Sequence, residues 1–185
     1  MTKPARIVLL NGVGSVGKSS IARALQTITR DTFLHVQMDV FLEMLPEGKL
    51  NDPDGFAFET QLENGKPSVV IRTGPTGERL MRGMRRAIAA MAQQGNNLIV
   101  DDVLLGDAAA DYAGVLAGFE VFRIGVSAPL DVLETRESQR GDRLIGLARW
   151  QYDRVHQGIA YDLELDAGAA TPMDCAKRIK DRFSL

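Results

Sequence analysis

Residues 12–19 read Gly-Val-Gly-Ser-Val-Gly-Lys-Ser, which is the pattern G-x-x-x-x-G-K-[ST]. The apolar run 6–11 directly precedes it and has the composition of a buried parallel strand. Directly after it, apolar residues from Ile21 to Ile28 recur at i, i+3, i+4 and i+7, on one face of a helix. A glycine loop between a strand and a helix is the context in which this pattern binds phosphate. The stretch therefore predicts a nucleoside triphosphate site.

The loop residues suit phosphate chemistry. Glycines allow positive φ and a close approach to the ligand, and the inward N–H groups together with the helix dipole attract anions. Lys18 can reach the β- and γ-phosphates, and the Ser19 hydroxyl can ligate Mg²⁺. The strand-like and helical segments on either side disfavour the alternative interpretation, in which the loop is a glycine-rich surface turn. The predicted nucleotide-binding residues of the loop are Gly12, Val13, Gly14, Ser15, Val16, Gly17, Lys18, Ser19 and Ser20.

Composition limits the class of protein. The 185 residues suit one domain with a substantial core, so residues 1–185 are expected to form a single unit. The net charge of −2 comes without a basic block, which argues against nucleic-acid binding. The strand begins within six residues of the N-terminus and no apolar run reaches membrane-spanning length. We expect a cytoplasmic protein with no membrane partner, and the sequence leaves the oligomeric state open.

Apolar runs and helical patterns alternate along the chain as in βαβ units. Two strand-like runs flank Asn64-Gly65, a hairpin signal that interrupts this alternation. The hairpin, about 56–73, could face the substrate or cover an edge of the core. The predicted fold class is α/β, a P-loop NTPase three-layer sandwich with a five-stranded mainly parallel sheet, the hairpin insertion and an arginine-bearing lid at about 136–146. The predicted core strands are 6–11, 33–38, 97–102, 120–126 and 161–165.

Two adjacent carboxylates end a short apolar strand. Asp101 and Asp102 follow Leu98-Ile99-Val100, which is the Walker B arrangement. The carboxyl ends of central strands lie beside the first loop in such sheets, so one carboxylate is expected to hold Mg²⁺. The other reading is that one of them caps the next segment. The sequence does not say which of the two faces the metal.

A further carboxylate, Asp39, ends the predicted second strand at the same edge of the sheet. It is a candidate to accept or orient the proton of a substrate hydroxyl during attack on the γ-phosphate. The alternative is an N-cap for a short helix over 40–45. Both roles can be filled by one residue at a helix start.

Three arginines recur at i, i+4 and i+7, namely Arg136, Arg140 and Arg143. The pair Gly141-Asp142 predicts that the helix breaks there and leaves Arg143 on a lid segment. Lid arginines can close over a triphosphate and stabilise the charge of the transition state. The alternative is an ordinary surface paired with neighbouring acidic residues.

Several stretches together resemble the chloramphenicol phosphotransferase family, P-loop kinases similar in fold to shikimate and adenylate kinases. They are N-G-x-x-S-x-G-K-S in the loop, Asp39, I-V-D-D-V-L-L from Ile99, R-E-x-x-R-G-D-R at 136–143 and V-H-Q-G-x-x-Y-D-L-E-L-D at 155–166. The resemblance implies a kinase that uses ATP and Mg²⁺ to phosphorylate a small-molecule hydroxyl, in the family that of chloramphenicol. It also implies that Asp39 is the base and that Lys18, Arg136 and Arg140 act on the phosphates.

The acceptor stays open, because residues 46–73 match the family pattern poorly. A nucleoside, a sugar, or the nucleotide sugar of zeta-type toxins are the alternatives, as is a non-catalytic ATP-binding regulator. A GTPase would need N-K-x-D and an ABC-type ATPase would need L-S-G-G-Q, and the chain has neither string.

Overall fold

A five-stranded sheet forms the centre of the fold in the computed structural model, which describes residues 4–141 and 144–185. The strands are, in chain order, β1 (Arg6–Asn11), β2 (Phe33–Gln37), β3 (Phe56–Glu63), β4 (Lys66–Thr73), β5 (Asn97–Asp102), β6 (Glu120–Ser127) and β7 (Leu163–Asp166). The central sheet has the order β2-β5-β1-β6-β7 and every neighbouring pair is parallel. The predicted α/β fold class is therefore confirmed.

Helices connect these strands. They are α1 (Lys18–Ile28), α2 (Met38–Leu42), α3 (Pro75–Gln93), α4 (Ala108–Val115), α5 (Leu130–Arg140), α6 (Leu147–Tyr152) and α7 (Pro172–Phe183). Proline at the first position starts both α3 and α7, where its missing N–H costs nothing. Thr171 caps α7 by accepting from the Asp174 N–H.

Two helices differ from the sequence prediction. We predicted a helix over 40–45, but α2 starts at Met38 and ends at Leu42. The apolar spacing of residues 146–156 also favours a longer helix than the one observed, since α6 ends at Tyr152. The chain continues as turns over 153–158, where the Val155 carbonyl accepts a 2.7 Å hydrogen bond from the Asn11 side chain, a contact that helical periodicity does not report.

The two faces of the central sheet carry separate halves of the core. Val8, Leu10 and Ile99 are buried on the face covered by α1 and α7. Leu9 and Val100, one residue along their strands, are buried on the opposite face with residues of α3 and α4. This alternation along a strand determines which helix each polar residue at a strand end will face.

The hairpin of β3 and β4 is a separate two-stranded sheet. Asn64 and Gly65 both have positive φ, 52° and 76°, as a type I′ turn requires, and this confirms the predicted hairpin. β4 is attached to the segment that starts α6, because the Val69 N–H donates to the Gly146 carbonyl at 2.9 Å. At the hairpin tip, Lys66 pairs with Glu134 of α5 at 3.1 Å.

Candidate active site

The loop between β1 and α1 has the backbone of an anion-binding nest. Ser15 and Gly17 have positive φ values of 64° and 105°, a conformation that turns successive N–H groups to one side. Gly12 lies so close to β6 that a Cβ there would stand 2.3 Å from the Val126 carbonyl oxygen. Gly17 also precedes α1, so the positive end of the helix dipole adds to the nest. The loop can therefore hold a phosphate by its backbone.

Lys18 lies under this loop with only 6% of its surface exposed. Its Nζ donates to the carbonyl oxygens of Gly12 at 2.8 Å and Val13 at 3.1 Å. The same nitrogen is 3.8 Å from Asp101 Oδ1. The buried ammonium thus lies between the loop carbonyls and the Asp101 carboxylate.

Asp101 faces the loop and α1. Ser19 Oγ donates to Asp101 Oδ2 at 2.5 Å, and His35 Nε2 lies 3.6 Å from the same oxygen. Burial alone would raise the pKa of Asp101, but His35, the Lys18 ammonium and the Ser19 hydroxyl outweigh it and lower that pKa. The carboxylate is therefore held in its charged form beside the loop.

Asp102 points to the other face of the sheet. It is 1% exposed, and its oxygens accept from Tyr112 Oη at 2.8 Å and from the Val103 N–H at 2.7 Å. Burial raises the pKa of Asp102, and these two hydrogen bonds offset only part of that rise. The adjacent carboxylates thus lie in different surroundings, and only Asp101 contacts the Ser19 hydroxyl.

Asp39 lies in the first turn of α2, at the carboxyl edge of the sheet. The N-cap of this helix is Gln37, so the alternative reading of Asp39 as the N-cap is wrong. Asp39 is half-buried and lines the same cavity as Lys18 and Asp101. The loop, the Walker B carboxylate and the candidate base are therefore brought together.

The cavity that these residues share has a volume of about 730 Å³. The hairpin supplies an apolar wall of Phe56, Phe58 and Ile71, and Met81 of α3 adds to it. Hairpin residues thus face the cavity, one of the two arrangements left open by the sequence. Beyond this wall lie two ion pairs of the cavity lining, Arg85–Asp111 at 2.5 Å and Arg82–Glu78 at 3.5 Å.

The three predicted lid arginines are not equivalent. Arg140, the last residue of α5, lines the cavity. Arg136 instead donates to the backbone carbonyls of Val16 at 3.2 Å and Ala167 at 2.9 Å. Gly141 ends the helix with a φ of 70°, as predicted. Arg143 lies outside the described residues.

One cavity residue that contacts the phosphate loop was missed by the sequence analysis. Gln151 of α6 is 4% exposed, lines the cavity and accepts a 2.7 Å hydrogen bond from the Gly14 N–H. It follows Leu147 by four residues and precedes Val155 by four, so it interrupts an apolar stripe. A polar residue within such a stripe was the available signal.

Across residues 4–141 and 144–185, no three His, Cys, Asp or Glu side chains come together as a possible metal cage. No helix in that part of the chain is both long enough and apolar enough to cross a bilayer.

Comparison of the sequence with known proteins gives a match over almost its full length. Residues 5–184 match the family model described as chloramphenicol phosphotransferase-like protein. Two Mycobacterium tuberculosis proteins, from strains CDC 1551 and H37Rv, each carry the name "Putative O-phosphotransferase" and are 30% identical to this chain over 184 residues. The match covers 96% of this chain and 82% of each relative.

Comparison of the structure finds the same fold in solved P-loop kinases. A sugar kinase from Janibacter has a TM-score of 0.69 at 19% identity, covering 98% of this chain and 95% of its own. The M. tuberculosis APS kinase in complex with AMPPNP and APS has a TM-score of 0.68 at 17% identity and 99% coverage of both chains. A gluconokinase from Sinorhizobium meliloti has a TM-score of 0.61 at 15% identity, covering 100% of this chain and 98% of its own. At these identities the likeness concerns the fold.

Proposed function

This chain belongs to the chloramphenicol phosphotransferase-like family, and from that premise we propose that it transfers the γ-phosphate of ATP to a hydroxyl group of a small molecule. Family membership and the kinase fold make it a P-loop phosphotransferase. The acceptor and the role of each residue belong to the proposal. One observation carries it: the phosphate loop, the Ser19–Asp101 pair and Asp39 line one cavity that has an apolar far wall.

In this proposal the triphosphate lies in the loop, and its oxygens accept from the backbone N–H groups. Lys18 Nζ, now bonded to the Gly12 and Val13 carbonyls, turns to the β- and γ-phosphates and neutralises part of their charge. The APS kinase of the same fold was solved with the ATP analogue AMPPNP, which supports ATP as the donor here.

The residues beside the loop fit Mg²⁺, which prefers oxygen ligands and keeps several of its waters. Ser19 Oγ and the charged Asp101 carboxylate are two such ligands, 2.5 Å apart. Phosphate oxygens and water would complete the ligand set, which agrees with the absence of a protein cage among the described residues. When bound, the ion would draw charge from the phosphate oxygens.

Asp39 is proposed to take the proton of the acceptor hydroxyl. The hydroxyl oxygen forms a bond to the γ-phosphorus, the bond from that phosphorus to the β–γ bridging oxygen breaks, and ADP leaves. The Arg140 guanidinium, which lines the same cavity, is proposed to stabilise the charge on the phosphoryl oxygens. Arg136 is proposed to hold the loop through the Val16 carbonyl.

The cavity wall supports an acceptor with an apolar body and one hydroxyl directed to Asp39. Phe56, Phe58, Ile71 and Met81 would pack on that body. Chloramphenicol is one candidate of this class, and its phosphorylation would inactivate the antibiotic. Nucleosides, sugars and nucleotide sugars carry more polar groups, which would have to reach the Arg85–Asp111 and Arg82–Glu78 pairs that also line the cavity.

The proposal is tested by measuring ADP release from ATP and Mg²⁺ with a panel of acceptors: chloramphenicol, aryl alcohols, nucleosides, amino sugars and nucleotide sugars. We expect release that depends on an acceptor and is fastest with an apolar alcohol. Equal release with and without acceptors would indicate a plain ATPase. ATP binding with no release under any condition would indicate a regulator.

The two adjacent carboxylates give a matched pair of variants. We expect Asp101→Asn to lower kcat by roughly 10²-fold or more and to raise the Mg²⁺ concentration needed, because it removes the charge beside Ser19. Asp102→Asn is expected to keep most activity, since an amide can accept from Val103 and donate to Tyr112 Oη. Steady-state ADP release against Mg²⁺ concentration checks both. The reverse order of effects would contradict the assignment of Asp101 to the metal.

A further inference from the structure

Gln151 is a buried residue whose side chain makes a polar contact with the phosphate loop. The side chain is 96% buried, yet one end touches the phosphate loop and the same residue lines the cavity. Its Oε1 accepts from the Gly14 N–H at 2.7 Å, and a Cβ at position 14 would lie 3.3 Å from that oxygen. Glycine at this position therefore lets the amide approach the loop closely.

The donor at Gly14 determines which way the amide points. A backbone N–H needs an acceptor, so the oxygen must face Gly14 and the nitrogen must face away from it. Among the described residues, Nε2 has no hydrogen-bond acceptor, and it is not sealed from solvent as buried unpaired atoms are. Its two N–H groups therefore open on the cavity.

Gln151 and Lys18 contact neighbouring residues of the loop. The lysine nitrogen bonds to the carbonyls of Gly12 and Val13, and Gln151 bonds to the next amide, that of Gly14. A P-loop lysine in this position acts on the β- and γ-phosphates. Gln151 thus contacts the loop one residue after the two carbonyls that hold the lysine, and it lines the same cavity.

The short helix that carries Gln151 is fixed at both ends. Glu137 accepts from the N–H groups of Gly146 at 2.8 Å and Ala148 at 2.7 Å, where α6 begins. After the helix, the Val155 carbonyl accepts from the Asn11 side chain at 2.7 Å, and Asn11 immediately precedes the loop. The amide is therefore held in register with the loop before any ligand binds, as a catalytic donor has to be.

We propose that Gln151 is a catalytic residue that donates its Nε2–H groups to oxygen atoms of the γ-phosphoryl group during transfer. This inference rests on the proposed function and assigns the donor to the γ-phosphate, because Gln151 lines the cavity that also holds Asp39, the proposed base for the acceptor. The nitrogen keeps its protons throughout, so Gln151 supplies no acid or base. Charge-assisted donors of this kind gain strength as negative charge spreads over the phosphoryl oxygens.

The test compares the affinities of ADP and of the non-hydrolysable analogue AMPPNP, both with Mg²⁺, by titration calorimetry on the full chain. In Gln151→Glu one carboxylate oxygen still accepts from Gly14, while the donors are replaced by a second oxygen. We expect this variant to bind ADP like the wild type, to bind AMPPNP roughly 10-fold or more weakly, and to lose about 10² in kcat.

Gln151→Leu is the second variant, for use if the glutamate variant does not fold. Leucine fills a similar volume and adds no charge. It is expected to show the same selective loss for AMPPNP. Tyr152→Phe, at an exposed neighbour on the same helix, is the control and should leave both affinities unchanged. Thermal unfolding of each variant reports whether the fold is intact.

Each outcome separates the inference from the function on which it rests. Equal losses for ADP and AMPPNP in both variants would mean that Gln151 only shapes the loop, and would overturn the inference. Unchanged AMPPNP affinity and kcat would overturn it as well. A wild-type chain that binds neither nucleotide would overturn the proposed function, and the inference with it.

Discussion

Lys18→Met is expected to reduce phosphoryl transfer by on the order of 10³-fold. The variant keeps the apolar stem and removes only the ammonium, which lies between the Gly12 and Val13 carbonyls and 3.8 Å from Asp101. Without it, the charge on the β- and γ-phosphates loses its buried counter-charge. Initial rates of ADP release, and ATP affinity by calorimetry, check the expectation.

The control for Lys18→Met is Arg23→Met, which removes an exposed cation from the same helix. Its activity should equal that of the wild type. Circular dichroism and the unfolding temperature show whether either variant disturbs α1. Wild-type kinetics in a folded Lys18→Met variant would exclude the proposed contact between this lysine and the triphosphate.

Asp39→Asn is expected to lower kcat by roughly 10²–10⁴-fold, the usual contribution of a positioned general base. ATP affinity should stay close to that of the wild type, because Asp39 lies on α2 and not in the phosphate loop. The amide is nearly isosteric with the carboxylate and cannot accept a proton from the hydroxyl. Single-turnover rates with the best acceptor of the panel separate chemistry from binding.

Glu43→Gln is the matched control for Asp39→Asn. Glu43 is an exposed carboxylate at the end of the same short helix, so its loss should leave kcat unchanged. A kcat for Asp39→Asn that equals the control value would rule out Asp39 as the base. A parallel loss of ATP affinity and kcat would instead assign Asp39 to nucleotide binding.

The sequence predicted those parts of the structure that depend on neighbouring residues. The strand, glycine loop and helix over 6–28 are contiguous, and β1 and α1 form close to where the apolar pattern indicated. The Asn64-Gly65 turn needs positive φ at two successive residues, and these residue types tolerate it. Local chemistry was sufficient in both cases.

The distinction between Asp101 and Asp102 required knowledge of which helices cover which face. The strand makes the two side chains point in opposite directions, and the sequence gives this alternation. It does not reveal that α1 packs on the face of Ile99, which Asp101 shares, or that α4 brings Tyr112 to Asp102 on the other face. The order of the strands and the placement of the helices therefore determine which of the two carboxylates faces α1.

Arg136 and Gln151 show the same limit for contacts between distant segments. Helical spacing predicted that Arg136 would lie on the lid beside Arg140. Arg136 donates to the Val16 carbonyl, which is 120 residues away in sequence. Gln151 meets Gly14 across 137 residues. Periodicity within one helix does not report contacts of this range.

The attachment of β4 to α6 bears on how such a protein can diversify. The Val69 N–H and the Gly146 carbonyl belong to the backbone, so this hydrogen bond uses no side-chain atom. The glycine at 146 is constrained, because a Cβ there would meet the Pro67 carbonyl oxygen at 2.6 Å. The cavity-facing hairpin residues Phe56, Phe58 and Ile71 can therefore be substituted, in evolution or by design, without changing the Val69–Gly146 hydrogen bond or the phosphate loop.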